Sequence, residues 1–256
     1  MAPRPDNAPG TAAAPAPSAN GDSPLLEVRG LSAGYGPRQV VFDVDFSVRP
    51  GEIVTILGHN GAGKTTTLKS VFGLIRPLSG AVIYRGRDII GRAPAENVRD
   101  GISFTPPERF VFPDLSVLNN LKLGGMTEKS EERTRERFEL IYGMFPDLKK
   151  RSKQLAGTMS GGQQRMVGLS IALMAGPRLM LLDEPSLGLA PSLVDQLMDA
   201  VRKLADEQGI SVILLEQNVA AALDHADRAY IMRSGRMILE EPADTMRARG
   251  HWWDLF

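Results

Sequence analysis

The sequence predicts an α/β fold. A mostly parallel, helix-covered sheet surrounds a phosphate-binding loop, a small antiparallel β subdomain stands beside it, and a mainly helical lobe is inserted. Three observations carry that expectation. The β-branched run Ile53-Val-Thr-Ile-Leu57 ends in Gly58-His-Asn-Gly-Ala-Gly-Lys-Thr65 and then Thr66-Thr-Leu-Lys-Ser-Val-Phe72, which reads as strand, phosphate loop and helix. From Ser160 onward, buried-strand runs alternate with helical ones, the pattern of a covered parallel sheet. Between these parts, over about 94–160, the chain becomes charged and helix-compatible.

Taken in order, residues 1–24 are mostly Ala and Pro with no aromatic residue. Such a segment buries too little apolar surface to offset its ordering entropy, so disorder is expected there, with the folded domain at 25–256. The segment lacks the apolar h-region of a secretory signal, so a cytoplasmic N-terminus is expected. Leu25–Gly30 reads as a strand and residues 32–37 as a loop. Gln39–Arg49 reads as a second strand, in which Val40, Phe42, Val44, Phe46 and Val48 alternate. Pro50-Gly51 turns the chain into the phosphate-loop strand, and Gly80–Tyr84 adds another strand ending at Arg85-Gly86. Within the lobe, 95–100 and 117–123 are helix-compatible. Phe138, Ile141, Tyr142 and Phe145 recur at helical spacing until Pro146-Asp147 ends the run. The core resumes with a helix over 160–175, a strand over 179–182, a helix over 191–208, a strand over 211–215 and a helix over 219–224. Tyr230–Arg233 and Met237–Leu239 then flank a Ser234-Gly235 hairpin turn.

Composition narrows the function classes. A chain of 256 residues suffices for one large domain with an inserted lobe. Its 30 basic and 30 acidic residues cancel, so the charge total does not suggest wrapping nucleic acid. With no Cys there are no disulfides or thiolate metal sites, and His59, His225 and His251 are too scattered to suggest zinc. The longest uncharged interval of the ordered part, Met166–Pro177, is too short to span a bilayer. If the protein works at a membrane, another chain holds it there.

The glycines Gly58, Gly61 and Gly63 let the backbone turn tightly with its N–H groups against phosphate oxygens. The following helix adds the positive end of its dipole. His59, Asn60, Ala62 and Thr66 complete the loop, Lys64 is placed to reach terminal phosphates, and the Thr65 hydroxyl to hold Mg²⁺. A plain glycine turn is the alternative; the Lys-Thr pair and both flanks favour a nucleoside triphosphate. Asp183 and Glu184 close a buried strand where doubly wound sheets bind ligands. Asp183 suits the Mg²⁺ shell and Glu184 suits the polarisation of an attacking water, although alone the pair also reads as a strand end meeting solvent. In Thr158-Met-Ser-Gly-Gly-Gln-Gln164, Ser160 caps a helix and Gly161-Gly162 expose N–H groups at its positive end, a second phosphate-binding surface.

With these motifs the chain, from about Leu25 to its C-terminus, resembles the ATP-binding subunits of ABC transporters. Their signature is Leu-Ser-Gly-Gly-Gln, and Met159 stands in the Leu position. The resemblance implies a P-loop NTPase core of ABC ATPase type with ATP and Mg²⁺ as cofactors. It also implies a head-to-tail dimer, in which ATP lies between Lys64 of one chain and Ser160, Gly161, Gly162 and Gln163 of the other. Tyr35 matches the residue that stacks on adenine, with an ordinary loop tyrosine as the alternative. Gly157-Thr-Met-Ser-Gly-Gly162, Pro185-Ser-Leu-Gly-Leu-Ala-Pro191 and Leu215-Glu-Gln-Asn218 resemble the second ATPase subunit of branched-chain amino-acid importers. The implied partners are a second ATP-binding subunit, transmembrane permease subunits and, indirectly, an external solute-binding protein, with no nucleic acid. The implied location is the cytoplasmic face of the inner membrane, peripheral through those partners. A urea or short-chain amide importer is the alternative within this class. Outside it stand a soluble ABC-type ATPase acting on nucleic acid or ribosomes, and a nucleotide-binding regulator that does not hydrolyse.

Two positions depart from the family pattern. Gln217 stands where most ABC ATPases carry His; an amide can contact a phosphate but cannot relay a proton. Pro107 stands where the family loop has Gln, or Glu in this subgroup, with Glu108 one residue later as a candidate replacement. Slower or more partner-dependent hydrolysis than in relatives is expected. The aromatic loop Phe110-Val-Phe-Pro-Asp-Leu115 reads either as part of a groove for a helix of the membrane subunit or as a local plug. The tail His251–Phe256 is expected to pack on its own domain, with a partner contact second.

Overall fold

The computed structural model describes residues 23–108 and 110–249. The disorder expected for 1–24, Ser23 and Pro24 apart, and the packing expected of the tail 251–256 lie outside the described residues.

The fold is built on a six-stranded sheet of order β10-β9-β3-β8-β7-β6. Its parallel strands are β3 (Ile53–Leu57), β6 (Ile102–Thr105), β7 (Leu179–Asp183), β8 (Ser211–Leu215) and β9 (Arg228–Arg233), and β10 (Arg236–Pro242) runs antiparallel at one edge. Alternate residues serve two hydrophobic clusters. Ile53 and Leu57, Met180 and Leu182, and Val212 and Leu214 enter one. Val54 and Ile56, Leu179 and Leu181, and Ile213 and Leu215 enter the other. Because side chains alternate across a strand, a run that is apolar throughout demands cover on both faces.

Helices α6 (Gly161–Met174) and α7 (Pro191–Gln208) supply much of the first cover. In α7 the stripe Val194, Leu197, Met198, Val201, Leu204 and Ala205 is buried, Pro191 sits at the first turn, and Gly209 ends the helix in the left-handed region at φ 64°. The other face is covered by α1 (Lys64–Phe72) and by a four-stranded antiparallel sheet of order β2-β1-β4-β5. That sheet comprises β1 (Leu26–Tyr35), β2 (Arg38–Val48), β4 (Ser79–Tyr84) and β5 (Arg87–Asp88). Arg228, at the start of β9, is ion-paired to Glu52 and Glu240, hydrogen-bonded to the Tyr230 hydroxyl, and donates across to the Ser47 carbonyl of β2 at 3.4 Å, which ties the two sheets together.

The remaining elements are α2 (Pro94–Arg99), α3 (Val117–Gly124), α4 (Glu131–Met144), α5 (Pro146–Lys150), α8 (Val219–His225) and α9 (Ala243–Ala248).

The structure departs from the sequence reading in three places. The first strand continues to Tyr35 instead of ending at Gly30, because register shifts absorb Gly30 while Leu31 and Ala33 stay buried; only Gly36-Pro37 forms the turn. The stretch over 94–160 is not helical throughout: Ile102–Thr105 is the edge strand of the central sheet, paired with β7. Pro146 does not simply stop α4, because it occupies the first turn of α5, where its missing N–H costs nothing.

Candidate active site

Strand register brings the site together. Ile56 of β3 pairs with Leu215 of β8, and Leu215 pairs with Asp183 of β7, so the carboxyl ends of these strands lie in one row. The phosphate loop runs from this row to α1. A Cβ on Gly58 would lie 2.2 Å from the Met232 carbonyl oxygen, so the loop can pass β9 this closely only as glycine. Gly63 adopts φ 110°, a region closed to residues with a Cβ. The Ala62 N–H donates to the His59 carbonyl at 3.1 Å, and the Gly235 N–H donates to the Ala62 carbonyl at 2.8 Å. His59, Asn60 and Gly61 form the exposed crest; Ala62, Gly63 and Thr66 are buried. A pocket of about 260 Å³ lies between this crest and Met232–Ser234.

Lys64 is buried, and its ammonium donates to the carbonyls of Gly58 at 2.6 Å and His59 at 3.2 Å. Burial lowers its pKa, while the neighbouring charges of Glu184, Asp183 and Glu216 pull it back up. The next residue, Thr65, donates its hydroxyl to Asp183 Oδ1 at 3.1 Å. Asp183 is fully buried, and its Oδ2 has no hydrogen-bond partner. Desolvation pushes its pKa up to about 6, against the hydrogen bond from Thr65. A hydroxyl oxygen beside a buried carboxylate with one oxygen unengaged is a hard donor set, and it fits Mg²⁺.

Glu184 starts the turn after β7 in the left-handed region, φ 50°, which few non-glycine residues hold. Its N–H donates to the Leu215 carbonyl at 2.9 Å, and its carboxylate Oε2 accepts the Gln217 Nε2–H at 2.7 Å. The two side chains assigned to catalysis from sequence therefore meet directly.

The signature turn is a capping box at the start of α6. The Ser160 Oγ accepts the Gln163 N–H at 3.3 Å, and Gln163 Oε1 accepts the Ser160 N–H at 3.1 Å. Gly161 is half-buried, and Gly162 is fixed by packing: a Cβ there would lie 2.5 Å from Leu193 Cδ1 of α7. Among the described residues, no hydrogen bond joins this turn to Thr65, Asp183 or Glu184. Arg165, one turn further along α6 and not singled out from sequence, donates to the Leu187 carbonyl at 3.1 Å, which links this helix to the loop after Glu184. Tyr35 is exposed at the β1–β2 turn. From that turn β2 leads to Val40, whose carbonyl would lie 3.4 Å from a Cβ on Gly63, so the hairpin borders the phosphate loop.

The aromatic loop also depends on a residue the sequence reading passed over. Buried Asn120 accepts the Phe112 N–H at 2.7 Å and donates to the carbonyls of Phe112, Leu115 and Ser116 at 3.0, 3.2 and 3.0 Å. Phe110 and Phe112 stay about half exposed, edge to face at 6.2 Å.

Sheet topology and loop geometry make this a nucleotide-binding protein of the P-loop class. The ABC transporter family profile matches residues 41–187, more than half of the chain, and the chain belongs to that family. It is 41% identical, over 85% of its length and 92% of the relative's, to the high-affinity branched-chain amino acid transport ATP-binding protein BraG of Pseudomonas aeruginosa. It is 36% identical, over 87% of its length and 94% of the relative's, to a probable branched-chain amino acid transport ATP-binding protein, LivF, of Archaeoglobus fulgidus. A nucleotide-free ATP-binding cassette from an ABC transporter superposes with a TM-score of 0.81 at 25% identity, covering 91% of this chain and 98% of that one. The chain is an ABC ATPase, and its nucleotide is ATP.

Proposed function

We propose that this chain is the ATP-hydrolysing motor subunit of an ABC importer for branched-chain or other amino acids, in which ATP-driven dimer closure drives transport by partner membrane subunits. The observation that carries the hydrolytic part is the convergence of Thr65 on Asp183 and of Gln217 on Glu184 at one row of strand ends beside the phosphate loop. The transported class rests on the 41% identity to a branched-chain amino acid transport ATP-binding protein.

In this reading Lys64 and the N–H groups of residues 58–66 hold the phosphates of ATP. Thr65 and Asp183 would hold Mg²⁺, whose charge would offset that of the phosphates. Glu184 orients the attacking water and accepts its proton. The Gln217 amide engages one oxygen of Glu184 and leaves the other for that water; an amide takes no proton, so Gln217 positions and does not relay. The signature turn, through the Ser160 hydroxyl, the N–H groups of Gly161 and Gly162 and the Gln163 side chain that caps it, serves the nucleotide of a second copy or a paired ATPase, whereas Tyr35 serves the adenine of the ATP on this chain's own phosphate loop. Glu184, Gln217, the phosphate loop and the signature turn thus share one reaction between two chains.

No helix among the described residues is long and apolar enough to cross a membrane. A groove of about 450 Å³ lined by Phe72, Leu74, Phe104, Phe110, Gly168 and Ile171 suits a short amphipathic helix of the membrane subunit. The exposure of Phe110 and Phe112 favours this over a local plug. That docking is the basis of the proposed place at the cytoplasmic face of the inner membrane, with the solute-binding protein reached only through the permease.

The test compares ATP turnover of the unmodified chain with the oligomeric state of Glu184→Gln in Mg-ATP. Turnover together with an ATP-dependent dimer of the variant is the expected result. A variant that stays monomeric in saturating Mg-ATP, beside a wild type that does not hydrolyse even when mixed with its membrane subunits and their second ATPase, would overturn the motor reading.

A further inference from the structure

One buried carboxylate ties the turn that carries Glu184 to the turn that carries Gln217. Glu216 follows β8, is 2% exposed, and uses both oxygens on a single residue: Oε1 accepts the Ser186 N–H at 2.9 Å and Oε2 accepts the Ser186 hydroxyl at 2.7 Å. The backbone N–H groups of Gln217 and Asn218 also bear on this carboxylate. Ser186 is itself buried and lies two residues after Glu184. Since Gln217 follows Glu216 directly and its amide donates to Glu184 Oε2 at 2.7 Å, the contacts close into a ring. It runs from Glu184 through Pro185 to Ser186, across to Glu216, on to Gln217 and back to Glu184.

We propose that Glu216 is a positioning residue for hydrolysis: by gripping Ser186 at two points it fixes the distance between the Glu184 turn and Gln217, and so holds the Gln217 amide on the Glu184 carboxylate. This deepens the reading of Glu184 as the hydrolytic carboxylate and rests on it. Glu216 touches neither nucleotide nor water in this scheme and acts only through its neighbours.

The chemistry of the tie is specific to a carboxylate of this length. An ionised Glu accepts from both Ser186 donors with charge-assisted bonds; a Gln can accept the N–H but must turn the hydroxyl into an acceptor of its N–H₂, and both contacts then lose the charge that strengthens them. An Asp would fall one methylene short of the same partner. Burial disfavours the charged form, and the hydrogen bonds from Ser186, Gln217 and Asn218 oppose that cost. The turn itself is under strain at Glu184, φ 50°, so an external anchor two residues on is what keeps that conformation from relaxing. Arg165 holds the far side of the same loop through the Leu187 carbonyl, and Leu189 N–H closes onto the Ser186 carbonyl at 3.0 Å.

The test uses the full chain with Glu216→Gln, Ser186→Ala, Ser186→Thr and the Gln/Ala double variant. Steady-state turnover, Mg-ATP binding and amide hydrogen exchange are measured on each. Glu216→Gln is expected to lower kcat by roughly 10- to 100-fold, the range for a mispositioned catalytic group, with Mg-ATP affinity within about 3-fold of wild type. Ser186→Ala should lose less, Ser186→Thr should keep most of the rate because hydroxyl and N–H both remain, and the double variant should be no worse than Glu216→Gln. Exchange of the Ser186 amide should speed by about 10-fold or more in Glu216→Gln while the β8 amides stay protected. Unchanged kcat in both single variants, or a fall in kcat matched by lost ATP binding, overturns the proposal. Unchanged exchange at Ser186 overturns it whatever the turnover. If Glu184→Gln hydrolyses like wild type, the assignment of Glu184 fails, whereas the exchange result still reports on the tie by itself.

Discussion

Asp183 and Glu184 are adjacent in sequence and opposite in environment. Asp183 is the last residue of β7, fully buried, with one oxygen on the Thr65 hydroxyl and the other on nothing. Glu184 lies just past the strand end, half-buried, in a left-handed turn, with its carboxylate held by a neutral amide. Burial holds the first carboxylate's pKa up near 6. The contrast teaches how the proposed function divides labour by environment: it gives the orphaned, desolvated carboxylate the cation and the accessible, aimed one the part of base.

The largest effect expected from breaking this contrast is chemical. Glu184→Gln should cut turnover by roughly 100- to 10,000-fold, the usual worth of a general base, and leave Mg-ATP binding intact. Asp183→Asn should abolish turnover as well, but through lost Mg²⁺-dependent ATP binding, measurable by titration with and without the metal. If both variants lose binding equally, the division of labour is wrong.

Next in size is a stability effect with a sign opposite to that of most acidic residues. The folded chain binds the Asp183 proton more tightly than the unfolded chain, so this group costs stability as pH rises from about 4 through about 6. The full cost above that window is about 3 kcal/mol. Without Mg-ATP, Asp183→Asn should therefore melt above wild type at pH 8 and level with it at pH 4. Saturating Mg-ATP should reverse the order at pH 8, because only wild type gains from the ligand. Thermal melts at the two pH values, with and without Mg-ATP, check both statements.

What the sequence disclosed follows the range of the interactions concerned. The phosphate loop, β3 and α1 are continuous in the chain and carry their own glycine and helix signals, so the strand, the turn and the helix were legible. The cap at Ser160 and the pairing of Asp183 with the phosphate loop followed from motif and strand end. The edge strand Ile102–Thr105 was not legible, because four residues are too few to show an alternation and only the pairing with β7 makes them a strand. The extension of β1 through Gly30 to Tyr35 depends on register shifts against β2, which are tertiary facts. The grip of Glu216 on Ser186 spans 30 residues and leaves no local pattern. The same holds for Asn120 and its three contacts to the aromatic loop, which depend on how that loop folds back on α3.

Gln217 sharpens the contrast from the side of Glu184. Its amide at 2.7 Å orients the carboxylate without charging or discharging it. Gln217→Ala removes one hydrogen bond of a charged acceptor, worth about 1.5–3 kcal/mol in general, so turnover should fall by roughly 10- to 100-fold. Gln217→Glu places a like charge on Glu184 and raises the apparent pKa of the pair. The acid limb of its pH–rate profile should move to higher pH, with activity lost at neutral pH and partly regained at pH 9. An unshifted profile would mean that the two side chains separate before the rate-determining step.

The smallest effect concerns Pro107, which is half-buried just after β6 and offers no side-chain donor or acceptor. Glu108, the next residue, is exposed. If the water near Glu184 lacks a second orienting group in this chain, Pro107→Gln supplies one. A single neutral hydrogen bond contributes about 0.5–1.5 kcal/mol, so kcat should rise by roughly 2- to 10-fold with KM little changed. Glu108→Ala decides between the two possible suppliers, because it lowers kcat by a similar factor only where Glu108 already fills the role. A rise in Pro107→Gln with no fall in Glu108→Ala assigns the slow turnover expected of this chain to the missing side chain at 107. The reverse pattern shows that a one-residue shift has moved the ligand to 108, and the shell around Glu184 is then complete without Pro107.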